Sequence, residues 1–461
     1  MKKPSYLKVY EAVKEQIVNG VIKVDSRLPT EPQLARRYNV SIGTLRRGLE
    51  YLEREKYIRR EQGRGTFAQL PAGGHSEIAS AQHDFGFGCA LTMRFQKELN
   101  ELYFADQPYK QFTLPSPAEK PPLNSEIWQK CSLVQLPMIM FRLPELNNYL
   151  APLPEDFTRE AEKVVPENIL NECRSIDGQL RLIPTVANPA VCYCWKPGFA
   201  KAGLPLPGHQ QSNWTEFLDI TRKLSHANNI PGFGVMPFPG LLYEILLWSF
   251  GGDFYDNYGI PWLPADAFEN MIGLLRTLYR EHICYNPFGQ AVTEHQFFNN
   301  PKFCMTFYGA LGLPVIEKPD EWNICPVNAF SNSPTATTVI GLGISTHAPD
   351  ARKSLDLLAR IFIDKREELL SRFTGAAPAA LDALDLWSGR QKVSGIESFK
   401  YSVLKSRPLS GRTGYANWYA DVYSIIDEAA KNLLDLKSAR KQILDILAER
   451  RVRYNDITIL T

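Results

Sequence analysis

The chain has 461 residues, enough for about three folding units with sizeable cores. Its 52 Lys+Arg against 50 Asp+Glu, with 44% hydrophobic and 22% charged residues, exclude a disordered chain and a uniformly basic nucleic-acid binder. The charge is unevenly distributed, because residues 1–70 hold 15 basic and 8 acidic residues, which leaves 37 and 42 for the remainder. A small basic part joined to a large, mildly acidic part predicts a polyanionic partner at one end only.

Two short helices are predicted near the N-terminus. The first follows from four apolar residues with the spacing of one helical face: Leu7, Tyr10, Val13 and Ile17. The second begins near Thr30, because Thr30 and Gln33 have the spacing of a capping box and Pro32 is tolerated in a first turn. We expect this second helix to end near Tyr38.

A third helix and a hairpin complete the predicted N-terminal unit. Ser41 is a favourable N-cap, and the inner face of the third helix is formed by Leu45, Leu49 and Leu52. Its outer face then carries Gly43, Arg46, Arg47 and Arg54. Strands over 57–61 and 66–68, joined by a turn with Arg64 at its tip, predict a wing. This order of elements is typical of a winged helix-turn-helix, which reads the DNA major groove.

Four motifs carry a family resemblance: the helix over 10–20, Leu28-Pro-Thr-Glu-x-x-Leu-Ala35, Val40-Ser-x-x-Thr-Leu-Arg46 and Gly63-Arg-Gly-Thr-Phe67. In order and spacing they resemble the GntR family of bacterial transcription regulators. The resemblance implies that operator DNA is bound through Thr30, Ser41, Thr44, Arg46, Arg47, Gly63, Arg64 and Gly65. The family usually has Arg where Pro32 and Ile42 stand here, so the fold transfers better than the operator sequence.

A stretch of small residues, Pro71-Ala-Gly-Gly-His-Ser76, predicts a linker over 71–83 between a DNA-binding domain over 1–70 and an effector domain over 84–461. Beyond it, strand-like and helix-like segments alternate, which is typical of an α/β fold. The apolar stretch 240–250 is shorter than the ~20 residues that a membrane span requires. No secretory signal precedes the first helix, so we expect a cytoplasmic protein without a membrane partner.

A second resemblance spans roughly residues 84–450. It rests on segments that follow one another in a fixed order: 132–137, 177–184, 191–205, 214–217, 251–252, 303–309 and 341–345. Together they resemble the extracellular solute-binding proteins of sugar transporters, which have the type 2 periplasmic-binding fold. The resemblance implies two α/β lobes that close on a ligand in the cleft between them. The expected fold is therefore multidomain: a winged helix-turn-helix, mostly α with a β-hairpin wing, followed by a two-lobed α/β domain.

Aromatic side chains are the expected ligand contacts, since sugars offer apolar ring faces edged with hydroxyl groups. From their positions relative to the cleft of the family, we expect contacts from Tyr193, Trp195, Tyr243, Trp248 and Tyr308. Trp214 heads a helix in the family too and is expected in the core. After Gly309 the family often has a sugar-stacking Trp, whereas Ala310 and Leu311 stand here.

Other functions remain open at this point. A C-terminal domain that binds pyridoxal phosphate would need a Schiff-base Lys in a Ser/Thr-rich loop, and Lys392 lacks that pattern. A solute receptor without coupling to DNA is a second alternative. The third is an architectural DNA binder whose C-terminal part contacts only protein.

We predict no enzyme activity, cofactor or metal site. The seven histidines form no HxxxH or HExxH pattern, and Gly341-Leu-Gly343 lacks the rest of a nucleotide-binding loop. Cys192 and Cys194 would share one face of a strand, and we expect them to be buried free thiols. The expected partners are operator DNA, a mono- or oligosaccharide effector and a second copy of the chain, because two winged helices on a near-palindrome give selectivity that one lacks.

Overall fold

The computed structural model of the protein describes residues 9–10, 13–14, 17, 26–38, 40–54, 57–61, 65–69, 85–89, 96–105, 108–114, 128–137, 149–175, 177–208, 213–236, 240–256, 259–287, 292–299, 302–331, 333–409 and 415–458. The chain forms two compact units, Met1–His83 and Asp84–Thr461, each of which makes its contacts mainly within itself. The linker predicted over 71–83 lies outside the described residues.

The N-terminal unit contains helices and one hairpin. Its regular elements are α1 (Glu31–Arg37), α2 (Ile42–Arg54), β1 (Ile58–Glu61) and β2 (Gly65–Ala68). Ahead of them, helical residues that include Val13 and Ile17 are buried in the same core as Leu45 and Leu49 of α2. The strands pair antiparallel, with Ile58 opposite Ala68. The predicted winged helix-turn-helix is thus confirmed.

The C-terminal unit alternates strands and helices, and its first half supplies strands to both of its sheets. In chain order these are β3 (Gly86–Cys89), α3 (Gln96–Tyr103), β4 (Lys110–Thr113), β5 (Leu133–Pro137), α4 (Glu155–Val164), α5 (Glu167–Leu170), β6 (Ile183–Pro189), β7 (Val191–Trp195), α6 (Lys196–Lys201), α7 (Trp214–Asn228) and β8 (Phe233–Gly234). Short 3₁₀ turns at Trp128–Lys130 and Asn171–Cys173 connect them.

The second half continues with α8 (Gly240–Ser249), α9 (Ala265–Arg280), β9 (Cys284–Tyr285), α10 (Glu294–Asn299), β10 (Met305–Tyr308), β11 (Trp322–Pro326) and β12 (Thr335–Ile344). The last elements are α11 (Ala351–Ala359), a π turn at Arg360–Asp364, α12 (Arg366–Leu370), α13 (Leu381–Ser388), α14 (Ser398–Lys405), β13 (Ser406–Pro408), α15 (Tyr415–Ala430) and α16 (Leu436–Thr458). Further 3₁₀ turns lie at Ala310–Val315, Pro319–Glu321 and Val327–Ala329.

Two sheets define two lobes, and the predicted two-lobed α/β fold is confirmed. The first-lobe sheet has the strand order β13-β12-β5-β3-β4, with β6 also paired to β12, and the second-lobe sheet has the order β11-β7-β10-β8-β9. In the first sheet β3 is parallel to β4 and β5, and in the second β8 is parallel to β9 and β10. Each lobe therefore has an edge at which its parallel strands end.

The chain crosses between the lobes at three places. A single residue, Ala190, separates the end of β6 from the start of β7. The second crossing leads from β11 to β12, and it is bonded to the first: Ala190 N–H donates to Ala336 O at 2.8 Å and Thr335 Oγ1 donates to Ala190 O at 2.7 Å. The third leads from β13 to α15, whose Trp418 is buried in the second lobe. Crossings bonded to one another form a hinge about which lobes can close.

The edge strand β11 of the second-lobe sheet is covered by a segment that follows α13. Ile324 N–H donates to Ser394 O at 2.8 Å. Gly395 has a φ of 76°, and a Cβ there would lie 2.0 Å from Ile324 O, so this close approach requires glycine.

Across the part of the chain that the structure describes, no helix combines the length and the apolar character of a membrane span.

Candidate DNA-binding face and ligand cleft

The outer face of α2 is the candidate DNA-binding face. Leu45, Gly48, Leu49 and Leu52 are buried, so the helical period turns the opposite residues outward. We call the exposed set the recognition face: Ile42, Gly43, Arg46, Arg47 and Glu50. Ser41 precedes the helix, and its Oγ accepts a hydrogen bond from Thr44 N–H at 3.1 Å. This cap satisfies a first-turn amide that would otherwise lack a partner.

Arg46 is fixed by a contact with the preceding helix. Its Nε donates to Glu31 Oε2 at 2.7 Å, although the Arg46 side chain is 60% exposed. Thr30 ends the loop before Glu31, and its N–H donates to Gln33 Oε1 at 2.9 Å, so Thr30 forms the predicted capping box. In this structure Thr30, Ser41 and Thr44 therefore shape helix ends, and they remain exposed or half-buried where a phosphate could reach them.

Of the DNA-binding residues predicted in the wing, the structure describes Gly65. Gly65 opens β2 with a φ of 118°, and a Cβ there would lie 2.6 Å from Arg27 Nε. The backbone conformation therefore favours glycine at this position. Gly63 and Arg64 lie outside the described residues.

The carboxyl edges of the two sheets meet at the hinge, which makes the space beside it the candidate ligand cleft. Pro189 ends β6 at the carboxyl edge of the first sheet, opposite Thr337. Val191 begins β7 at the carboxyl edge of the second sheet, opposite Tyr308 at the end of β10. Crevices outside the carboxyl ends of parallel strands are where α/β proteins bind ligands. The segments 90–95, 138–148, 237–239 and 288–291, which follow β3, β5, β8 and β9, lie outside the described residues.

Asn188 joins the lobes at this cleft. Its Oδ1 accepts a hydrogen bond from Ala310 N–H at 2.6 Å, and the side chain is almost wholly buried. A Cβ on Gly309 would lie 2.4 Å from Asn188 Nδ2, so glycine lets the two strands' ends approach. On the other side, Tyr193 donates its hydroxyl to Gly309 O at 2.8 Å. Asn188, Gly309 and Tyr193 thus fix the turn after β10.

Tyr308 is the predicted ligand residue that lies at the carboxyl edge. Its side chain is 4% exposed, and its hydroxyl donates to Glu294 Oε1 at the start of α10. Glu294 is half-buried and brings a carboxylate to this edge of the second lobe.

Tyr193 and Tyr243 are fully buried, so in this structure they offer no surface to a solute. The reason is strand and helix geometry: Tyr193 faces the core shared with Phe298, and every residue of α8 from Gly240 to Trp248 is buried. Burial raises the pKa of the Tyr193 hydroxyl well above its ordinary value, so this group is a neutral hydrogen-bond donor. Both residues therefore lie in the interior of the domain.

Trp195 lies at the far edge of the second-lobe sheet. It is four residues beyond Val191, about 13 Å along the strand. Its Nε1 donates to Glu321 Oε2 at 3.2 Å, and hydrogen bonds from Lys318 and Trp195 lower the pKa of the Glu321 carboxyl. This surface pair is remote from the carboxyl edge.

Trp248 bridges the lobes by another route. It is the penultimate residue of α8, about 12 Å along the helix axis from Gly240, and is 8% exposed. Arg407 of β13 in the first-lobe sheet places its Cζ 4.6 Å from the Trp248 ring centroid and forms an ion pair with Asp253. A guanidinium over a Trp ring is a favourable contact, which here connects the lobes beside the third crossing.

The first lobe presents a row of side-chain amides at its carboxyl edge. Gln135 Nε2 donates to Gln96 Oε1 at 2.9 Å, and Gln96 Nε2 donates to Asn100 Oδ1 at 2.9 Å. All three are 2% exposed, and Gln135 pairs with Cys89, the last residue of β3. Gln135 Oε1 is a buried acceptor without a hydrogen-bond partner in the part of the chain that the structure describes. The edge is therefore polar but uncharged at these positions.

A thiol cluster is the one group of metal-ligand type in the described residues. Cys192, Cys194 and Cys325 hold their Sγ atoms within 4.8 Å of one another, with 3.7 Å between Cys192 and Cys194. All three are buried, as predicted for Cys192 and Cys194, and burial raises the pKa values of the Cys192 and Cys194 thiols well above the ordinary range. Neutral thiols in an apolar core pack as small hydrophobic groups.

Sequence reasoning missed Asn188, Glu294 and the amide row. A signal was present for Asn188, since a lone Asn in the apolar run 183–191 must find a hydrogen-bond partner when buried. Gln135 similarly interrupts an apolar strand.

Comparisons with known proteins match each unit separately. Residues 5–68 match the model of bacterial regulatory proteins of the gntR family, and residues 143–361 match that of bacterial extracellular solute-binding proteins. The chain joins a GntR-type helix-turn-helix domain to a solute-binding-protein fold. Both predicted resemblances are confirmed.

Relatives of the GntR-type domain are regulators. An uncharacterized HTH-type transcriptional regulator, YurK of Bacillus subtilis, is 38% identical over 68 residues, 15% of this chain and 28% of the relative. The arabinose metabolism transcriptional repressor of Geobacillus stearothermophilus is 35% identical over 68 residues, 15% of this chain and 19% of the relative. The chain therefore covers less than a third of the length of these relatives.

Solved structures resemble the solute-binding-protein domain. The substrate-binding protein Lmo0181 of Listeria monocytogenes, in complex with cycloalternan, has a TM-score of 0.64 at 15% identity, over 79% of this chain and 97% of that chain. The sugar-binding protein MalE of Xanthomonas citri has a TM-score of 0.66 at 11% identity, over 80% and 99%. At these identities the likeness establishes the fold alone.

Proposed function

We propose that this protein is a ligand-responsive transcription regulator. Its GntR-type domain binds operator DNA, and its two-lobed domain binds a small solute whose presence alters operator affinity. The observation that carries the proposal is the combination, in one chain, of a helix-turn-helix with a basic recognition face and a hinged two-lobed cleft. A hinge converts ligand binding into a change of shape, which is what a regulator requires. No catalytic step is part of the proposal.

A neutral, hydroxyl-rich solute, most simply a mono- or oligosaccharide, is the proposed effector. The amide row of the first lobe is buried and its members bond to one another, so it supports a neutral solute only by leaving this part of the lobe polar without adding a charge. Support also comes from two similar proteins, an arabinose metabolism repressor and a substrate-binding protein in complex with cycloalternan.

Among the predicted ligand residues, Tyr308 is the one we propose at the ligand surface. It ends β10 at the carboxyl edge and pairs with Glu294, whose carboxylate accepts from hydroxyl groups. Asn188 acts beside it by holding the turn after β10 against the first lobe.

We further propose that the regulator acts in the cytoplasm as a homodimer on a near-palindromic operator. One small winged helix makes too few contacts for selective binding among genomic sites, and two-fold pairing supplies the missing affinity.

A linkage experiment tests the function. An operator is selected from random DNA with the full-length protein, and sugars are screened by the shift in melting temperature. The best ligand is then titrated with and without operator. A coupling of about 1–3 kcal/mol would change ligand affinity about 5- to 150-fold when DNA is present, with an equal effect of ligand on DNA affinity. Equal ligand affinity in both conditions would leave a DNA-binding protein with an uncoupled solute binder.

A further inference from the structure

The amino-terminal turn of the recognition face presents an aliphatic side chain to solvent. Ile42 is the first residue of α2 and is 43% exposed, although isoleucine is among the residues most often buried. Its neighbour Gly43 is also exposed, and a Cβ there would meet no heavy atom closer than 3.9 Å. Gly43 therefore adds no side chain that could cover Ile42.

The polar groups around Ile42 are already engaged with one another. Ser41 Oγ accepts from Thr44 N–H and lies 2.9 Å from Thr44 Oγ1. Arg46, one turn further along the same face, is directed towards Glu31. The largest side chain that this first turn offers to a partner is consequently apolar.

In helix-turn-helix domains the first turn of the recognition helix is the part that meets base edges in the major groove. The C5-methyl of thymine is the apolar group displayed there, and aliphatic side chains pack against it. We propose that Ile42 contacts this methyl group and makes thymine the preferred base at one position of each operator half-site. The inference rests on the proposed DNA-binding function and adds a base preference to it.

The position of that thymine relative to the Arg46 contact follows from helix geometry. Ile42 and Arg46 are four residues apart, about 6 Å along the helix axis, whereas base pairs are spaced by about 3.4 Å. The thymine should therefore lie within about two base pairs of the base or phosphate bound by Arg46.

Deoxyuridine replaces thymine in the test, because it differs only by lacking the C5-methyl. Each thymine of the operator selected with the full-length protein is changed in turn, and binding is measured at one fixed salt concentration for the wild type, Ile42→Ala and Ile260→Ala. Ile260 is a matched control, an isoleucine that is 45% exposed in the C-terminal unit. At one thymine per half-site, replacement by deoxyuridine should reduce the operator affinity of the wild type and of Ile260→Ala about fourfold, which is the factor expected for one buried methyl group. Ile42→Ala should lose this sensitivity and bind the thymine operator about fourfold more weakly.

Distinct outcomes separate this inference from the proposed function. A selected operator whose thymine methyl groups affect the wild type and Ile42→Ala equally would overturn the inference and leave operator binding intact. The inference would also be overturned if Ile42→Ala changed the oligomeric state and left the response to the methyl group unaltered, since Ile42 would then contact protein. Failure to enrich any sequence from random DNA would overturn both.

Discussion

Replacing Asn188 by Ala is expected to destabilise the two-lobed domain by about 1–3 kcal/mol, the cost of leaving a buried polar group without its partner. The group concerned is Ala310 N–H, on a residue that is 0% exposed and whose amide donates to Asn188 Oδ1 at 2.6 Å. Water cannot readily replace the lost acceptor at a buried amide, so the full penalty applies.

Urea unfolding followed by tryptophan fluorescence measures this change in the intact protein. All 8 tryptophans lie between residues 128 and 418, so the signal reports on the C-terminal unit. The transition midpoint should fall while its slope stays constant, because the surface exposed on unfolding is unchanged.

Asn323→Ala is the matched control. Its half-buried side chain donates to the adjacent Ile324 O at 3.2 Å, so its removal leaves no distant amide unpaired. We expect this control to lose less than about 1 kcal/mol. If Asn188→Ala were no more destabilising than Asn323→Ala, Asn188 would not hold the turn after β10, and the account of how the lobes are joined would fail.

Arg46→Ala should weaken operator binding by about 1–3 kcal/mol in a fluorescence-anisotropy titration, with ligand affinity unchanged; an unchanged operator affinity would contradict its role. Native mass measurement of the saturated operator complex should give two chains per duplex, and a strictly 1:1 complex would exclude the homodimer. Tyr308→Ala should weaken effector binding measured by calorimetry while sparing operator affinity without effector; an unaltered effector affinity would remove Tyr308 from the ligand surface. Hydrogen bonds from Ser175 and Arg181 lower the pKa of Asp177 to about 2, from an ordinary value of about 3.9. At pH 7, Asp177→Asn should therefore have a lower free energy of unfolding than the wild type. This difference should disappear as the pH falls from about 4 to about 2, and a difference that is the same at all pH values would contradict its ionic origin.

The N-terminal unit was predictable because its signals are local. Thr30 with Gln33 and Ser41 with Thr44 mark helix starts within four residues, and Leu45, Leu49 and Leu52 fix the buried face of α2. The second helix was predicted to end near Tyr38, and in the structure α1 ends one residue earlier, at Arg37. Capping and helical period act within one turn, so no knowledge of distant residues was needed.

The ligand surface was harder to predict because burial depends on partners far away in the chain. Tyr193 and Cys192 alternate on β7, but only the pairing of this strand with β10 and β11 shows which core each one enters. Trp195 continues the same aromatic strand, yet antiparallel pairing carries it to the sheet edge opposite the cleft. Sequence proximity therefore grouped residues that the fold separates.

The segment laid along β11 has a consequence for behaviour at high concentration. A free edge strand offers unpaired amides to neighbouring molecules and can start intermolecular sheet growth. In the second-lobe sheet, Ile324 gives its amide to Ser394, and the opposite edge strand β9 is only 2 residues long. Gly395 makes this protection possible, since any side chain there would push the segment off the strand. The sheet is thereby shielded from self-association at both of its edges.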